Sequence, residues 1–265
     1  MVINGKVLAN EIYRELANSL VHLDVKPRLT VITCDPNFET KKFLALKAAR
    51  AAELGIEMDT IILPKEIDTE KIVSIIKTES SKKTGIIVQL PLPAHIDTNE
   101  VLKSIPKSQD IDAFGYTGED TDILPPVVGA IAEIADTYRL EWKGKKVVVI
   151  GAGRLVGKPA GLYAQNRGGI VTILDENSKD IVYYTKEADI IILGAGQPNL
   201  LTADMVREGV FVFDAGASED GGLLVGDAKP EVAEKAGLFT PVPGGIGPMT
   251  IAVLLRNLVK LHLRQ

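Results

Sequence analysis

A glycine-rich turn gives the sequence its sharpest chemical signal. Gly151, Gly153 and Gly157 lie between the apolar run KKVVVI and a helical pattern that begins near Val156. Glycine at the first two positions permits a tight turn and lets a pyrophosphate approach the backbone, while the N-terminus of the helix attracts an anion. The spacing departs from GxGxxG by one residue, and an ordinary strand-to-helix connection is the competing interpretation. The strand and helix context favours a dinucleotide site.

An acidic residue follows the next strand of this region. Asp175 lies 24 residues beyond Gly151, where a carboxylate can accept hydrogen bonds from both ribose hydroxyls and would repel a 2′-phosphate. By itself this residue favours NAD over NADP, whereas Arg154 and Lys179 can oppose its charge. A solvated turn residue after a strand is an equally weighted interpretation. The sequence alone therefore leaves the cofactor open.

Three polar residues in the first half of the chain are candidates for acid–base chemistry. Lys47 lies four residues after Phe43 in the helical pattern TKKFLALKAAR, so the two share one helix face. Gln89 lies toward the end of the strand pattern GIIVQLPLP, and Asp112 lies in the loop QDIDAF. Taken singly, each is more typical of a surface or backbone-bonding residue. The position of Gln89 raises its interest, because parallel α/β sheets bind ligands at the carboxyl ends of their strands.

The elements that must position these residues alternate between strand and helix. In the first half, strand patterns at 28–34, 57–64 and 85–93 alternate with helical patterns at 41–54 and 69–79. A loop-like acidic segment at 94–125 and a helical pattern at 127–138 follow, and the second half has strand patterns at 145–150, 170–176, 189–196 and 210–216. This order predicts two parallel α/β domains.

Composition excludes several functional classes. The formal net charge of −5 and the pI of about 5.4 argue against a nucleic-acid partner. The apolar runs are strand-sized and no signal peptide is recognisable, so we expect no membrane association. The single cysteine, Cys34, indicates a reducing, cytoplasmic compartment. The isolated histidines His22, His95 and His262 predict no bound metal, and neither GxSxG nor GxxxxGK[ST] occurs.

Several motifs together resemble the bifunctional methylenetetrahydrofolate dehydrogenase/cyclohydrolase family, over nearly the whole chain. The matching segments are NGKVLANEI at 4–12, the helix with Lys47, VQLPLP at 88–93, the loop at 106–114, GAGRLVGKP at 151–159, GAGQP at 194–198 and PVPGGIGPMT at 241–250. The last is the most specific. The resemblance implies a folate-binding α/β domain at 1–122, completed by the C-terminal helix at 246–265, and a Rossmann-like dinucleotide domain at 123–245. It also implies an active-site cleft between the two domains.

The activity implied by the resemblance has two steps. Hydride transfer from 5,10-methylenetetrahydrofolate to NADP, or to NAD as the alternative, would give the methenyl form, and hydrolysis would then give 10-formyltetrahydrofolate. In this family the lysine at the position of Lys47 assists proton transfer and the hydrolytic water, the glutamine of Gln89 tunes that lysine, and the aspartate of Asp112 binds the pterin edge. A homodimer, a role in one-carbon metabolism and purine biosynthesis, and the absence of a metal are also implied.

The resemblance extends to two sets of binding residues. The implied substrate contacts are Phe43, Leu90, Pro91, Pro243, Gly244 and Gly245. The implied cofactor contacts are Gly151, Gly153, Arg154, Leu155, Val156, Gly157, Asp175, Ser178 and Gly194.

Two departures from the family pattern bear on the chemistry. Phe43 stands where the family has tyrosine, so the ring is kept and the hydroxyl is lost. Ala152 and Gly153 stand where the family has Arg-Ser, and Asp175 and Glu176 replace its usual basic or hydroxyl residues, which weakens the expectation of NADP. The alternatives are a two-domain dehydrogenase of the shikimate dehydrogenase type and a non-catalytic dinucleotide sensor.

Overall fold

The computed structural model describes residues 1–119 and 121–264, and at positions 38 and 39 it describes the backbone alone. Within these residues the chain forms two α/β units. The lysine unit consists of Glu11–Gly115 together with the residues from Leu254 onward. The glycine-turn unit consists of Met1–Asn10 and Tyr116–Val253. The predicted α/β class with parallel sheets is confirmed.

The lysine unit contains a parallel sheet in the order β2-β1-β3. Its strands and helices, with the helix that enters it from the N-terminus, are α1 (Gly5–Val21), β1 (Arg28–Cys34), α2 (Phe38–Glu53), β2 (Glu57–Leu63), α3 (Thr69–Ser80), β3 (Gly85–Val88) and α4 (Thr98–Lys103). Side chains from β1, α3 and β3 form one apolar core beneath this sheet, including Ile32, Ile72, Ile76 and Ile86, all inaccessible to solvent. Burial of this apolar surface holds α3 against the sheet.

Side-chain caps decide where the helices of this unit begin. Asn37 accepts a hydrogen bond from the backbone N–H of Thr40, and Asp68 does the same for α3. Asp97 accepts from the N–H of Glu100 and starts α4, inside the segment 94–125 that was predicted to be a loop. That prediction was wrong because a six-residue helix is too short to show a periodic pattern. The third strand ends at Val88 and not at position 93, since Pro91 and Pro93 donate no backbone hydrogen bond.

The glycine-turn unit contains a parallel sheet in the order β10-β7-β6-β4-β5. Its elements are α5 (Pro126–Thr137), β4 (Lys146–Ile150), α6 (Gly157–Asn166), β5 (Ile170–Leu174), α7 (Ile181–Glu187), β6 (Ile190–Leu193), β7 (Phe211–Asp214), the hairpin β8 (Ser218–Asp220) and β9 (Leu223–Val225), β10 (Leu238–Phe239) and α8 (Ile246–His262), whose C-terminal half belongs to the lysine unit. The central strands β4 and β6 are buried along almost their whole length, as expected of parallel strands covered on both faces.

The division into units differs from the predicted boundaries at the N-terminus and near 116–122 and 246–253. The first residues join the glycine-turn unit because Val2 bridges Phe239 in parallel, and the N–H of Ile3 donates to the Phe239 carbonyl at 2.8 Å. Residues at the start of α8 join it through α5, where a Cβ at Gly129 would lie 2.6 Å from the Val253 side chain. In the described part of the chain, no helix is both long and apolar enough to cross a membrane.

Candidate active site

A buried lysine forms the centre of the polar cluster in the lysine unit. Lys47 projects from α2 with only 6% of its surface exposed, and its Nζ donates a hydrogen bond to Gln89 Oε1 at 3.0 Å. The same ammonium lies 4.8 Å from the centre of the Phe43 ring, one helical turn earlier. The four-residue spacing predicted that Phe43 and Lys47 share one helix face. The fold brings Gln89, the residue after β3, to the same lysine.

Gln89 is fixed in orientation by its two partners. Its Nε2 donates to the Leu90 carbonyl at 3.0 Å, and a carbonyl can only accept. Oε1 therefore faces Lys47, and a flipped amide would place two donors against each other. Leu90 precedes Pro91 through a cis peptide bond. These residues lie at the carboxyl end of β3, beside β1, where the order of strands in the sheet reverses.

Asp112 interacts with Lys47 through its charge. Burial lowers the pKa of Lys47, and the charge of Asp112 opposes that shift. Burial raises the pKa of Asp112 to about 6, with Lys47 lowering it and the neighbouring Asp110 raising it further. Burial therefore favours the neutral amine of Lys47 and the protonated carboxyl of Asp112, which is the kind of pKa shift found where side chains give and take protons.

Asp110 is a group that the sequence reasoning did not single out. It is buried, its Oδ2 accepts from the N–H of Gly115 at 3.3 Å, and its Oδ1 has no hydrogen-bond partner among the described residues. Burial raises its pKa, while backbone N–H groups of residues 112–115 lower it. The motif DID contains both acids, but nothing in it tells which carboxyl is the more buried.

The glycine turn of the other unit is closely packed at most of its glycines. Gly151 has φ +101, and a Cβ there would lie 2.4 Å from the Gly194 carbonyl oxygen. At Gly157 a Cβ would lie 1.6 Å from the Gly151 oxygen, and at Gly194 it would lie 2.5 Å from the Val156 side chain. Protein packing alone therefore requires these three glycines.

Gly153 is different, because packing does not require a glycine there. Its φ lies outside the left-handed region, its surface is exposed, and a Cβ would meet only the Gly194 oxygen at 3.9 Å. The open space lies above the carboxyl ends of β4 and β6, where the strand order reverses, and α6 begins at Gly157 beside it. The exposed Arg154 and Leu155 follow Gly153. These features fit a dinucleotide pyrophosphate.

Asp175 is exposed and held by its own turn. Its Oδ1 accepts from the N–H of Asn177 at 3.0 Å and from the Ser178 hydroxyl at 2.9 Å. The Ser178 hydroxyl contributes most to lowering the pKa of Asp175, so the carboxylate is charged at neutral pH. Asp175 and Ser178, each a predicted cofactor-binding residue, thus lie together at the end of β5, the strand next to β4.

The predicted substrate residues Pro243, Gly244 and Gly245 lie in the glycine-turn unit and not in the unit of Lys47. The Val242–Pro243 bond is cis, and Gly244 has φ +112. Its carbonyl accepts from the N–H of Gly5 at 2.8 Å, where a Cβ on Gly5 would lie 1.7 Å from the Gly245 oxygen. This backbone-to-backbone contact explains why NGK and PVPGG occur together.

Metal ligation was not expected from the sequence. His95 and His262 each have a ring nitrogen within hydrogen-bond distance of a backbone carbonyl, that of Ile67 and that of Val25. Within residues 1–119 and 121–264, no group of three or more His, Cys, Asp or Glu is placed to hold a metal ion.

A parallel α/β unit with a dinucleotide-type glycine turn and an α/β unit with a buried lysine define a two-domain α/β dehydrogenase. The profile described as tetrahydrofolate dehydrogenase/cyclohydrolase, catalytic domain, matches residues 3–112, and that of the NAD(P)-binding domain matches residues 125–265. The chain belongs to the tetrahydrofolate dehydrogenase/cyclohydrolase family, as the motifs predicted.

Relatives match over their full length. The bifunctional protein FolD of Nautilia profundicola is 39% identical, with 98% of this chain and 96% of the relative aligned. The crystal structure of the bifunctional enzyme FolD of Campylobacter jejuni has a TM-score of 0.94 at 36% identity, covering 100% and 99% of the two chains. That of Trypanosoma brucei FolD, complexed with NADP and an inhibitor, has a TM-score of 0.93 at 29% identity, covering 100% and 97%.

The alternative of a shikimate dehydrogenase is not favoured. Shikimate 5-dehydrogenase of Thermus thermophilus shares 14% identity at a TM-score of 0.53, which is a likeness of fold alone. The family relatives are far closer in both sequence and structure.

Proposed function

We propose that this protein oxidises 5,10-methylenetetrahydrofolate with NADP and hydrolyses the resulting methenyl form to 10-formyltetrahydrofolate. The observation that carries the proposal is the hydrogen bond from the buried Lys47 to Gln89 beside Asp112, within a chain whose two halves match the catalytic and NAD(P)-binding domains of the family. The product is a formyl donor, so the reaction belongs to one-carbon metabolism, with purine biosynthesis as a consumer.

Lys47 is the proposed proton carrier in hydrolysis. Water adds its oxygen to the methenyl carbon and gives a proton to the neutral amine of Lys47. The carbon–N5 bond then breaks as the new carbonyl forms, N5 takes a proton, and one proton is released overall. Burial supports this role, because it lowers the pKa of Lys47 and so increases the fraction of neutral amine at physiological pH.

Gln89 and Asp112 have complementary proposed roles around the lysine. Gln89 accepts the lysine hydrogen bond without adding a negative charge, so it orients the amine and does not stabilise the ammonium as a carboxylate would. Asp112, with its pKa raised to about 6, is mostly ionised at pH 7 and can accept hydrogen bonds from the N–H groups of a pterin edge. Phe43 offers an exposed ring face beside Lys47 for stacking.

NADP is the proposed hydride acceptor, with reduced discrimination against NAD. When bound, oxidised NADP would be the oxidant that accepts a hydride from the methylene carbon. Gly153 leaves room for the pyrophosphate, and the exposed Arg154 and Lys179 are candidates for pairing with the 2′-phosphate. Asp175 acts against that phosphate through its charge. The NADP complex of the trypanosomal relative supports NADP as a cofactor.

A homodimer and a cytoplasmic location complete the proposal. The edge strand β5 pairs with β4 and leaves Ile170 and Ile173 exposed by 63% and 43%, which suits an edge that a second copy covers. The single cysteine, Cys34, is buried in the core, in keeping with a reducing compartment. Light scattering on the wild type and on Ile170→Lys tests the dimer: we expect the variant to be monomeric, and a monomeric wild type would contradict the proposal.

One assay tests the function. Purified protein is mixed with methylenetetrahydrofolate and either NADP or NAD, and reduced nicotinamide and the methenyl chromophore are followed together; hydrolysis is then measured on added methenyltetrahydrofolate. We expect reduction with both cofactors, faster with NADP, and hydrolysis without any cofactor. Absence of nicotinamide reduction with this substrate would overturn the dehydrogenase assignment, and absence of hydrolysis would overturn the second activity.

A further inference from the structure

A fully buried carboxyl group in the glycine-turn unit accepts hydrogen bonds from one loop. Asp227 has no exposed surface, and its Oδ2 accepts from the N–H groups of Ala195 at 2.7 Å and Gly196 at 3.1 Å. Its Oδ1 accepts from the N–H of Gln197 at 2.8 Å. Because three consecutive backbone N–H groups converge on this one carboxyl group, it fixes the conformation of the loop that follows β6.

That loop contacts the glycine turn directly. Gly194, at its start, donates its N–H to the Ile150 carbonyl at 2.9 Å, which joins the ends of β6 and β4. The Gly194 oxygen is the atom that a Cβ at Gly151 would meet at 2.4 Å, and the nearest protein atom to a Cβ at Gly153. A change in the loop therefore alters the space above Gly153.

A second buried carboxylate holds the first in place. Asp214, at the end of β7, accepts from the N–H groups of Gly216 and Asp227 through Oδ1 and from that of Ala228 through Oδ2, at 2.9, 3.2 and 2.8 Å. Burial raises the pKa of Asp214 to about 6, and the charge of Asp227 adds to this rise. Gly216 packs flat on the Asp227 carboxyl, since a Cβ there would lie 2.2 Å from Cγ.

Burying two adjacent carboxyl groups, Asp214 and Asp227, costs free energy of folding. Each must be compensated by hydrogen bonds, and the Asp227 carboxyl group accepts its three bonds from the loop beside the glycine turn. Neither acid lies in the unit that contains Lys47. The two acids therefore support the backbone at the carboxyl ends of β4 and β6.

We propose that Asp227 is a positioning residue for the dinucleotide: it holds the loop Gly194–Gln197 against the glycine turn so that the pyrophosphate space above Gly153 exists before the cofactor binds. The inference rests on the proposed cofactor site. It predicts that loss of the carboxylate weakens nicotinamide cofactor binding and leaves the folate chemistry of the lysine unit in place.

Asp227→Asn tests this proposal because asparagine keeps the shape but offers one oxygen and one NH2, so at least one loop N–H loses its acceptor. We expect KM and Kd for NADP to rise about tenfold to a hundredfold, with KM for methylenetetrahydrofolate changed by less than about threefold. Hydrolysis of methenyltetrahydrofolate, which uses no nicotinamide, reports whether the lysine unit is intact, and thermal unfolding reports whether the glycine-turn unit is folded. An unchanged NADP affinity in a variant that still hydrolyses would overturn the proposal.

Asp189→Asn is the matched control. Asp189 lies in the same unit, directly before β6 at the opposite end of that strand, where it accepts from the N–H of Lys146 and pairs with Arg207. Its removal should leave NADP affinity unchanged, and an equal loss in both variants would show a general effect on the unit. A wild type that binds neither NADP nor NAD would instead reject the proposed function.

Amide hydrogen exchange on the wild type covers the case in which Asp227→Asn does not fold. A preformed loop predicts slow exchange at Ala195, Gly196 and Gln197 in the free protein, with little further slowing on adding NADP. Fast exchange in the free protein followed by strong protection with NADP would mean that the cofactor, and not Asp227, orders the loop, and would overturn the proposal.

Discussion

Lys47 Nζ lies 3.0 Å from Gln89 Oε1, and this hydrogen bond joins the helix after β1 to the residue after β3. Both residues therefore lie at the reversal point of the sheet, from sequence positions 42 residues apart. The glutamine in turn is oriented by the Leu90 carbonyl. An uncharged, oriented acceptor beside a buried amine favours a lysine that gives and takes protons.

Lys47→Met should abolish hydrolysis of methenyltetrahydrofolate and preserve the fold. Methionine fills a similar volume but carries no proton, and a placed proton carrier contributes about 10²–10⁴-fold to a rate. The measurement is the initial hydrolysis rate, with thermal unfolding as the check on structure. Lys42→Met, an exposed lysine of the same helix, serves as control and should keep the full rate. Near-normal hydrolysis by Lys47→Met would remove this lysine from the mechanism.

Gln89→Glu should move the pH dependence of hydrolysis to higher pH. A carboxylate at this distance stabilises the ammonium form, so the pKa of Lys47 rises and less neutral amine exists at pH 7. The rate at pH 7 should fall, while its rise with pH should continue into more alkaline solution than in the wild type. Rate profiles from pH 6 to about 10 test this, with Gln165→Glu on α6 as the exposed control. An unshifted profile would contradict the role of the neutral glutamine.

Substitutions of Phe43 test whether its ring contacts the folate. Its ring is 39% exposed and already lies beside the Lys47 ammonium, so Phe43→Ala should raise KM for folate substrates by about fivefold or more through lost stacking. Phe43→Tyr should change KM little, since an added hydroxyl contributes at most ~1 kcal/mol. Tyr138→Ala, a ring of similar exposure in the other unit, is the control. Equal, small effects of both Phe43 substitutions would show that the ring does not contact substrate.

The sequence predicted the parts of this protein that have local patterns. Continuous β-branched runs indicated the buried strands, and the glycine turn and the Lys47, Gln89 and Asp112 candidates came from spacing and family motifs. Their meeting at the end of one sheet follows from the parallel order of β1 and β3. The resemblance linked NGK to PVPGG as motifs, but their physical contact became visible only in the fold.

The features that the sequence did not reveal arise from contacts between residues that are distant in the sequence. Asp214 and Asp227 follow strand and turn patterns where an aspartate is ordinarily exposed, and only the fold shows them inaccessible and bonded to backbone N–H groups. The pairing of Val2 with Phe239 joins positions that are far apart in the sequence, which no local pattern encodes. The helix α4 was hidden by its short length.

Asp214 should make the protein less stable as pH rises through its raised pKa. Because its folded-state pKa is about 6 against an ordinary value of 3.8, the folded state holds more protons than the unfolded state between these values. The free energy of unfolding should therefore fall from pH 4 to pH 6, by up to about 3 kcal/mol from this residue. In Asp214→Asn this fall should be smaller by that contribution, whereas Asp136→Asn, an exposed control, should follow the wild type. Parallel curves for wild type and Asp214→Asn in urea unfolding would contradict the assignment.

Asp175→Asn should shift cofactor preference toward NADP. The carboxylate is charged, exposed and held by Ser178 at the end of β5, so it can accept from ribose hydroxyls and repel a 2′-phosphate. Asparagine removes the charge while keeping an oxygen for the turn, so kcat/KM should rise for NADP and fall for NAD, changing their ratio by about tenfold. Both cofactors are measured on the wild type, on Asp175→Asn and on Glu176→Gln, whose exposed neighbouring carboxylate should affect the ratio less. If the NADP/NAD ratio of Asp175→Asn equals that of the wild type, Asp175 points away from the ribose, and discrimination must come from Arg154 or Lys179.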